Sequence, residues 1–118
     1  MMTPDEFDAV VWEAVERLPQ WVREGFDNIE LLIQDEPDAD LDPDGDDLLG
    51  LYLGVPLTER SVEDAGGLPD VIYIFREPHY RMGLAPAALR EEICATLIHE
   101  VAHYFGIDDD HLDEIGWG

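Results

Sequence analysis

Hydrophobic positions near the N-terminus of the chain recur three or four residues apart. They follow Thr3, Pro4 and Glu6, which suit an N-cap, a first helical position and the closing residue of a capping box. This pattern predicts a helix that buries one face. Pro19 opens a second apolar run, which predicts a shorter helix ending within residues 25–28.

Three shorter apolar runs are typical of strands. They cover residues 29–34, 48–56 and 70–78, and the last is rich in β-branched and aromatic residues and is stopped by Pro78. Residues 35–47 are dominated by acids and contain two prolines, so we expect a solvated loop there.

A long helical pattern follows a predicted turn at residues 79–84, within which His79 is expected to be exposed. The helix begins at Pro86 and ends at Gly106, a residue typical of helix C-caps. A last short helix is expected from Asp108 to Gly116.

Composition limits the class of protein. At 118 residues, one domain covering residues 1–118 is expected. Six arginines and no lysine stand against 29 acidic residues, for a net charge of −23. This balance argues against nucleic acid and anionic membranes as partners.

The single cysteine and the character of the N-terminus bear on location. Cys94, expected to be buried in the long helix, cannot form an internal disulfide, which suits a reducing compartment. The chain opens with acids rather than a secretory signal, and no apolar run approaches the roughly 18 residues of a membrane span. We therefore expect a soluble, cytoplasmic protein.

The long helix carries a pattern with metal chemistry. His99 and His103 are four residues apart, so both imidazoles project from one face and can converge on a tetrahedral zinc ion. Glu100, next to the first histidine, is placed to act as general base on a water. This predicts a Zn²⁺ site with Glu100 as the catalytic residue.

A catalytic zinc ion needs a third protein ligand from outside the helix. Gly106 permits the chain to turn back without strain, and Asp109 then completes the pattern HExxHxxGxxD. His111 and Glu114 are competing candidates for the third ligand. The candidates for an oxyanion donor are His111, His79, Tyr80 and Tyr104.

At these residues the chain resembles the zincin-like metallopeptidases, in particular small single-domain bacterial proteins with HExxHxxGxxD. The resemblance implies an α+β fold, a compact zincin-like domain in which a small mixed sheet packs on an N-terminal helix and a long active-site helix. It also implies His99, His103 and Asp109 as zinc ligands and zinc-dependent hydrolysis of peptide bonds. Metzincins carry a methionine turn after the third ligand, but the nine residues after Asp109 contain no methionine. Trp117 is a candidate for that support.

The partner implied is therefore a peptide or protein substrate. Residues 71–76 are the strand along which an extended substrate is expected to pair. An edge strand and a shallow site would also suit a homodimer. The alternative to an enzyme is a catalytically silent zincin-like protein that binds metal or a partner.

Overall fold

The computed structural model describes most of the chain, namely residues 2–24, 29–42, 45, 47–54 and 70–106. The predicted end of the second helix at residues 25–28 and the predicted helix from Asp108 to Gly116 lie outside these residues.

The N-terminal helix α1 spans Pro4–Arg17, as the sequence predicts. The Thr3 hydroxyl accepts a hydrogen bond of 3.1 Å from the backbone N–H of Glu6, which satisfies one of the free donors of the first turn. A short helix α2, Gln20–Glu24, follows Pro19.

The sheet has three strands: β1 is Ile29–Gln34, β2 is Gly50–Leu53 and β3 is Asp70–Phe75. Their spatial order is β1-β3-β2, with β1 parallel and β2 antiparallel to β3. The sheet is therefore mixed, and β3 is its central strand. Strands β2 and β3 are shorter than the apolar runs that predicted them.

The predicted extension of the third strand to Pro78 is wrong, and the turn after it is shorter than predicted, since it begins at Met82 rather than at His79. Helix α3, Arg76–Arg81, begins directly after β3. Pro78 is compatible with it because the first-turn N–H groups of a helix have no intrahelical acceptor. His79 lies on this helix and is completely buried, so the expectation of an exposed loop histidine is also wrong.

The long helix α4 spans Pro86–Phe105 and ends at Gly106, whose φ of 73° is left-handed. Both ends match the prediction, because proline at the start and glycine after the end are local signals. The helix packs against α1, β2 and β3. The core between them consists mainly of Phe7, Val10, Val11, Ile72, Ile74, Ile93, Leu97 and Val101.

Arginines connect the elements around this core. Arg76 donates to both carboxylate oxygens of Asp8 at 2.9 and 2.8 Å and to Asp35 at 2.9 Å, which ties α3 to α1 and to the end of β1. Arg81 donates to Glu36 and Asp47, and so anchors the acidic loop on α3. The architecture is α+β, as predicted. Among the residues that the structure describes, no helix has the length and apolar character needed to cross a bilayer.

Candidate metal centre

Two histidines project from the last turns of helix α4. The ring centroids of His99 and His103 lie 4.4 Å apart with an angle of 64° between the ring planes. Both residues are exposed, and the His103 side chain retains 47% of its accessible surface. Helical spacing thus places two imidazoles side by side at the protein surface.

Glu100 lies between these histidines in sequence but is buried, with a side chain only 8% exposed. Its Oε1 is 3.3 Å from Nδ1 of His103. One ligand atom from each of His99, Glu100 and His103 fits within 4.8 Å of the other two. Within the part of the chain that the structure describes, this is the one group of three His, Cys, Asp or Glu residues so arranged.

The donor set fits a zinc ion. Tetrahedral zinc with Zn–N distances of about 2.0–2.1 Å holds its ligand atoms about 3.4 Å apart. The imidazole nitrogens of His99 and His103 lie within 4.8 Å of each other, so rotation of the two side chains can bring them to that spacing. Imidazole nitrogen is a ligand type that zinc prefers, and the Glu100 carboxylate lies beside the pair as a proton acceptor.

Burial determines the electrostatics of Glu100. Loss of solvent raises the pKa of this carboxyl above its usual range, while nearby His99 and a hydrogen bond from the backbone N–H of Tyr52 act in the opposite direction. The raised pKa makes the carboxylate a stronger proton acceptor than an exposed glutamate.

Gly50 allows strand β2 to approach the helix at this point. A Cβ atom on Gly50 would lie 2.8 Å from Cγ2 of Thr96, 3.0 Å from the carbonyl oxygen of Tyr73 and 3.2 Å from Cγ of Glu100. A glycine inside a strand can loosen the strand or mark a bulge. Close approach of another element is the third reason for a glycine in a strand, and it is the one that applies here.

An open cleft of about 400 Å³ lies between β2 and helix α4. Its lining comes from the segment before and at the start of β2 and from one face of the helix, namely Asp47, Leu48, Leu49, Gly50, Glu92, Ala95, Thr96, His99 and Glu100. Two of the three clustered residues therefore face a cavity large enough for part of a peptide.

His79 supports this cleft from behind. Its Nδ1 donates to the carbonyl oxygen of Phe75, and its Nε2 lies 2.9 Å from Oγ1 of Thr96, which lines the cleft. Because both ring nitrogens are engaged and the ring is completely buried, His79 is not available as an oxyanion donor. Tyr104, another candidate, is also buried and packs edge-to-face against Tyr52.

The predicted substrate-pairing strand is wrong. Residues 71–75 belong to the central strand β3, whose two edges are occupied by β1 and β2, and Arg76 begins helix α3. Of the described strands, β2 lies beside the cleft and pairs on one side only.

The proposed third ligand Asp109 and its competitors His111 and Glu114 lie outside the described residues, as does Trp117. Their roles stay predictions.

The chain is similar both to a protein family and to a solved structure. The model of a family described as zincin-like metallopeptidase matches residues 26–117. A solved structure, a conserved hypothetical protein from Thermo thermophilus, has a similar fold with a TM-score of 0.57. The two sequences are 21% identical, and the alignment covers 97% of each chain. None of the curated proteins compared with the chain matches it.

Proposed function

Since the chain belongs to the zincin-like metallopeptidase family, we propose that it is a zinc-dependent peptidase. His99, His103 and Asp109 bind the metal, and Glu100 is the general base. The substrate is a peptide or protein that lies in the cleft between strand β2 and helix α4.

The observation that carries this proposal is the placement of Glu100. A structural glutamate on this helix would be solvated or paired with an arginine, whereas Glu100 is buried beside two exposed imidazoles and borders an open cleft. Burying a carboxylate without a cationic partner is costly, and a cation between the three side chains would offset that cost.

The chemistry divides between the metal and the chain. A bound zinc ion supplies Lewis acidity, which polarises the peptide carbonyl and acidifies a water molecule. Glu100 accepts a proton from the water as its oxygen attacks the carbonyl carbon, and delivers this proton to the amine as the C–N bond breaks. The hydrogen bond from Tyr52 and the contact of β2 with the helix hold the carboxylate in position for both transfers.

Cleavage of a peptide library by the zinc-loaded protein tests this proposal. We expect wild type to cleave and Glu100→Gln to lose about 10²–10⁴-fold in kcat, the usual contribution of a general base. Glu16→Gln, which removes an exposed glutamate from helix α1, is the matched control and should cleave like wild type. Equal cleavage by all three proteins, or none by any, would exclude the enzymatic role and leave a protein that only binds.

Elemental analysis tests the third ligand separately. We expect Asp109→Ala to lose most of the bound zinc and His111→Ala to retain it, because a catalytic zinc ion is held by three protein ligands. Zinc loss in His111→Ala alone would assign the third position to the histidine.

A further inference from the structure

A second cleft runs along helix α4 beside the candidate metal centre. It has a volume of about 410 Å³ and is lined by Arg17 of α1 together with Arg90, Glu91, Cys94, Ala95 and Ile98 of α4. Ala95 and His99 line both clefts, so the two lie side by side next to a proposed metal ligand. An extended ligand that passes His99 can therefore contact both linings.

The charge in this cleft is unusual for the chain. Two of only six arginines line it, in a protein with a net charge of −23. Arg76 and Arg81 each donate to two acids. Among the described residues, Arg90 has one ion pair, a long one of 3.8 Å with Glu13. Arg17 makes no ion pair with another described residue. Glu91 in the lining and Glu13 beside Arg90 balance these two charges, so the cleft is close to neutral in a chain that is otherwise strongly acidic.

The wall between the arginines is apolar. Cys94, Ala95 and Ile98 form it, and Cys94 is half-buried rather than fully buried as its sequence context predicts. A ligand complementary to this surface has an apolar body and a single anionic group. Peptides with several acids are disfavoured because the net charge of the protein repels them.

We infer that this cleft binds the C-terminal end of a peptide substrate, with an apolar last side chain against Cys94 and Ile98 and the terminal carboxylate on Arg17 and Arg90. The inference rests on the proposed peptidase function and adds the substrate class. A chain end supplies the apolar group and the carboxylate from one residue, and planar guanidinium groups suit carboxylates.

Helix geometry sets the distance to the cleavage point. Along the axis, Cys94 and Arg90 lie about 7.5 and 13.5 Å from His99 at a rise of about 1.5 Å per residue. An extended peptide covers about 3.3–3.6 Å per residue, so these distances correspond to roughly two to four residues. The protein thus releases short C-terminal fragments.

Peptides that differ only at the C-terminus test the assignment on the zinc-loaded full chain. The set contains a peptide with an apolar C-terminal residue as the free acid, its amide, and an amide with glutamate at the last position. We expect kcat/KM to be about tenfold higher for the free acid than for either amide, the effect of one hydrogen bond to a charged group. This ratio should fall towards one in Arg17→Gln/Arg90→Gln and stay unchanged in Arg23→Gln, an exposed arginine of helix α2.

A readout without catalysis uses the thiol in the cleft. Cys94 is the only cysteine, so alkylation reports on this cleft alone, although burial raises the pKa of its thiol and slows the labelling. The Glu100→Gln variant is expected to bind the peptides without cleaving them. In this variant the free acid should protect Cys94 against alkylation about tenfold better than the amide does, and adding Arg17→Gln and Arg90→Gln should abolish the difference.

The outcomes separate the two proposals. Protection by the free acid without any cleavage would refute the peptidase and support the cleft assignment. If the free acid and the amide are cleaved equally and protect Cys94 equally, the cleft assignment is wrong and the proposed peptidase function is unaffected. A glutamate amide that equals the free acid in both assays would also overturn it, because the cleft would then bind any carboxylate.

Discussion

At the scale of single residues, Gly50 determines how closely helix α4 approaches strand β2. Its missing side chain leaves space for Thr96 on one side and for Glu100 on the other. The backbone N–H of Tyr52 then reaches the Glu100 carboxylate. A residue two positions from Tyr52, with no chemistry of its own, thereby positions the proposed general base.

We expect Gly50→Ala to destabilise the protein by about 1–3 kcal/mol, the typical cost of overpacking. The added Cβ would lie 2.8 Å from Cγ2 of Thr96, so the helix or strand must shift, and activity should fall with stability. Urea unfolding and kcat/KM measure the two effects. Thr96→Ser removes this methyl group and keeps the hydroxyl, so the double variant should recover part of the loss. If the two substitutions change the free energy of unfolding additively, the contact with Thr96 is not the cause of the loss in Gly50→Ala.

His79 is a second residue with a measurable consequence, because its burial couples folding to pH. Burial lowers the pKa of this imidazole below its ordinary 6.5, although the Phe75 carbonyl and Glu92 act in the opposite direction. Well above pH 6.5 the imidazole is neutral in both the folded and the unfolded state. As the pH falls below 6.5, the unfolded chain gains a proton that the folded protein does not bind, so the free energy of unfolding decreases.

We expect this decrease to be at most about 1.4 kcal/mol per pH unit and to end near the lowered pKa of the folded state. His79→Gln should remove it, although the variant is less stable at every pH because the bonds to Phe75 and Thr96 are changed. Chemical unfolding of the metal-free proteins between pH 5.5 and 8.5 measures the difference between the two curves. The difference in free energy of unfolding between wild type and His79→Gln should be constant above pH 7.5 and shrink below pH 6.5. Parallel curves over the whole range would show that His79 does not cause the pH dependence.

At the scale of elements, helix ends could be predicted from the sequence because their signals are local. Pro4 and Pro86 begin helices and Gly106 follows the end of one, as expected from their backbone preferences. Strand β3 and helix α3 join without a loop at Phe75, and Pro78 concealed that junction because it suits a strand stop and a first helical turn equally.

The order of the strands could not be predicted from local patterns. The central position of β3 depends on pairing with β1 and β2, which are distant in sequence. The candidate site divides in the same way: helical spacing brings His99 and His103 together, whereas the contribution of Gly50 exists only once β2 has packed on the helix. The part of the site that depends on packing between distant segments therefore cannot be predicted from local sequence patterns.

Gly106 connects the end of helix α4 to the segment that carries the proposed third ligand. We expect Gly106→Ala to cost about 1 kcal/mol, because an alanine is disfavoured at a φ of 73°, and also to weaken zinc binding by redirecting that segment. Gly83→Ala is a matched control, since Gly83 has a φ of 67° and open space around it but lies in the connection before the helix. Unfolding experiments should give similar losses for both, and zinc titration should detect a loss only in Gly106→Ala. Equal zinc affinities in the two variants would mean that the turn does not orient a ligand.

At the scale of the whole molecule, the dominant feature is the excess of 29 acids over six arginines. Most acids of the described loop between β1 and β2 are exposed, so the resulting field extends into solvent. Such a field destabilises the compact state by self-repulsion and at the same time raises the local concentration of cations. Stability and metal binding should therefore respond to salt in opposite directions.

We expect NaCl to increase the free energy of unfolding of the metal-free protein and to weaken its affinity for zinc. The screening length falls from about 10 Å at 0.1 M salt to about 3 Å at 1 M, which removes repulsion between distant acids but leaves close pairs such as Arg76 with Asp8 largely intact. Urea unfolding and zinc titration at both concentrations, at pH 7, measure the two effects. At pH 4.5, close to the sequence pI of about 4.1, the increase in stability should shrink because the net charge is small. If salt instead destabilised the protein at pH 7, the arginine pairs, rather than repulsion among the acids, would dominate the electrostatics of the fold.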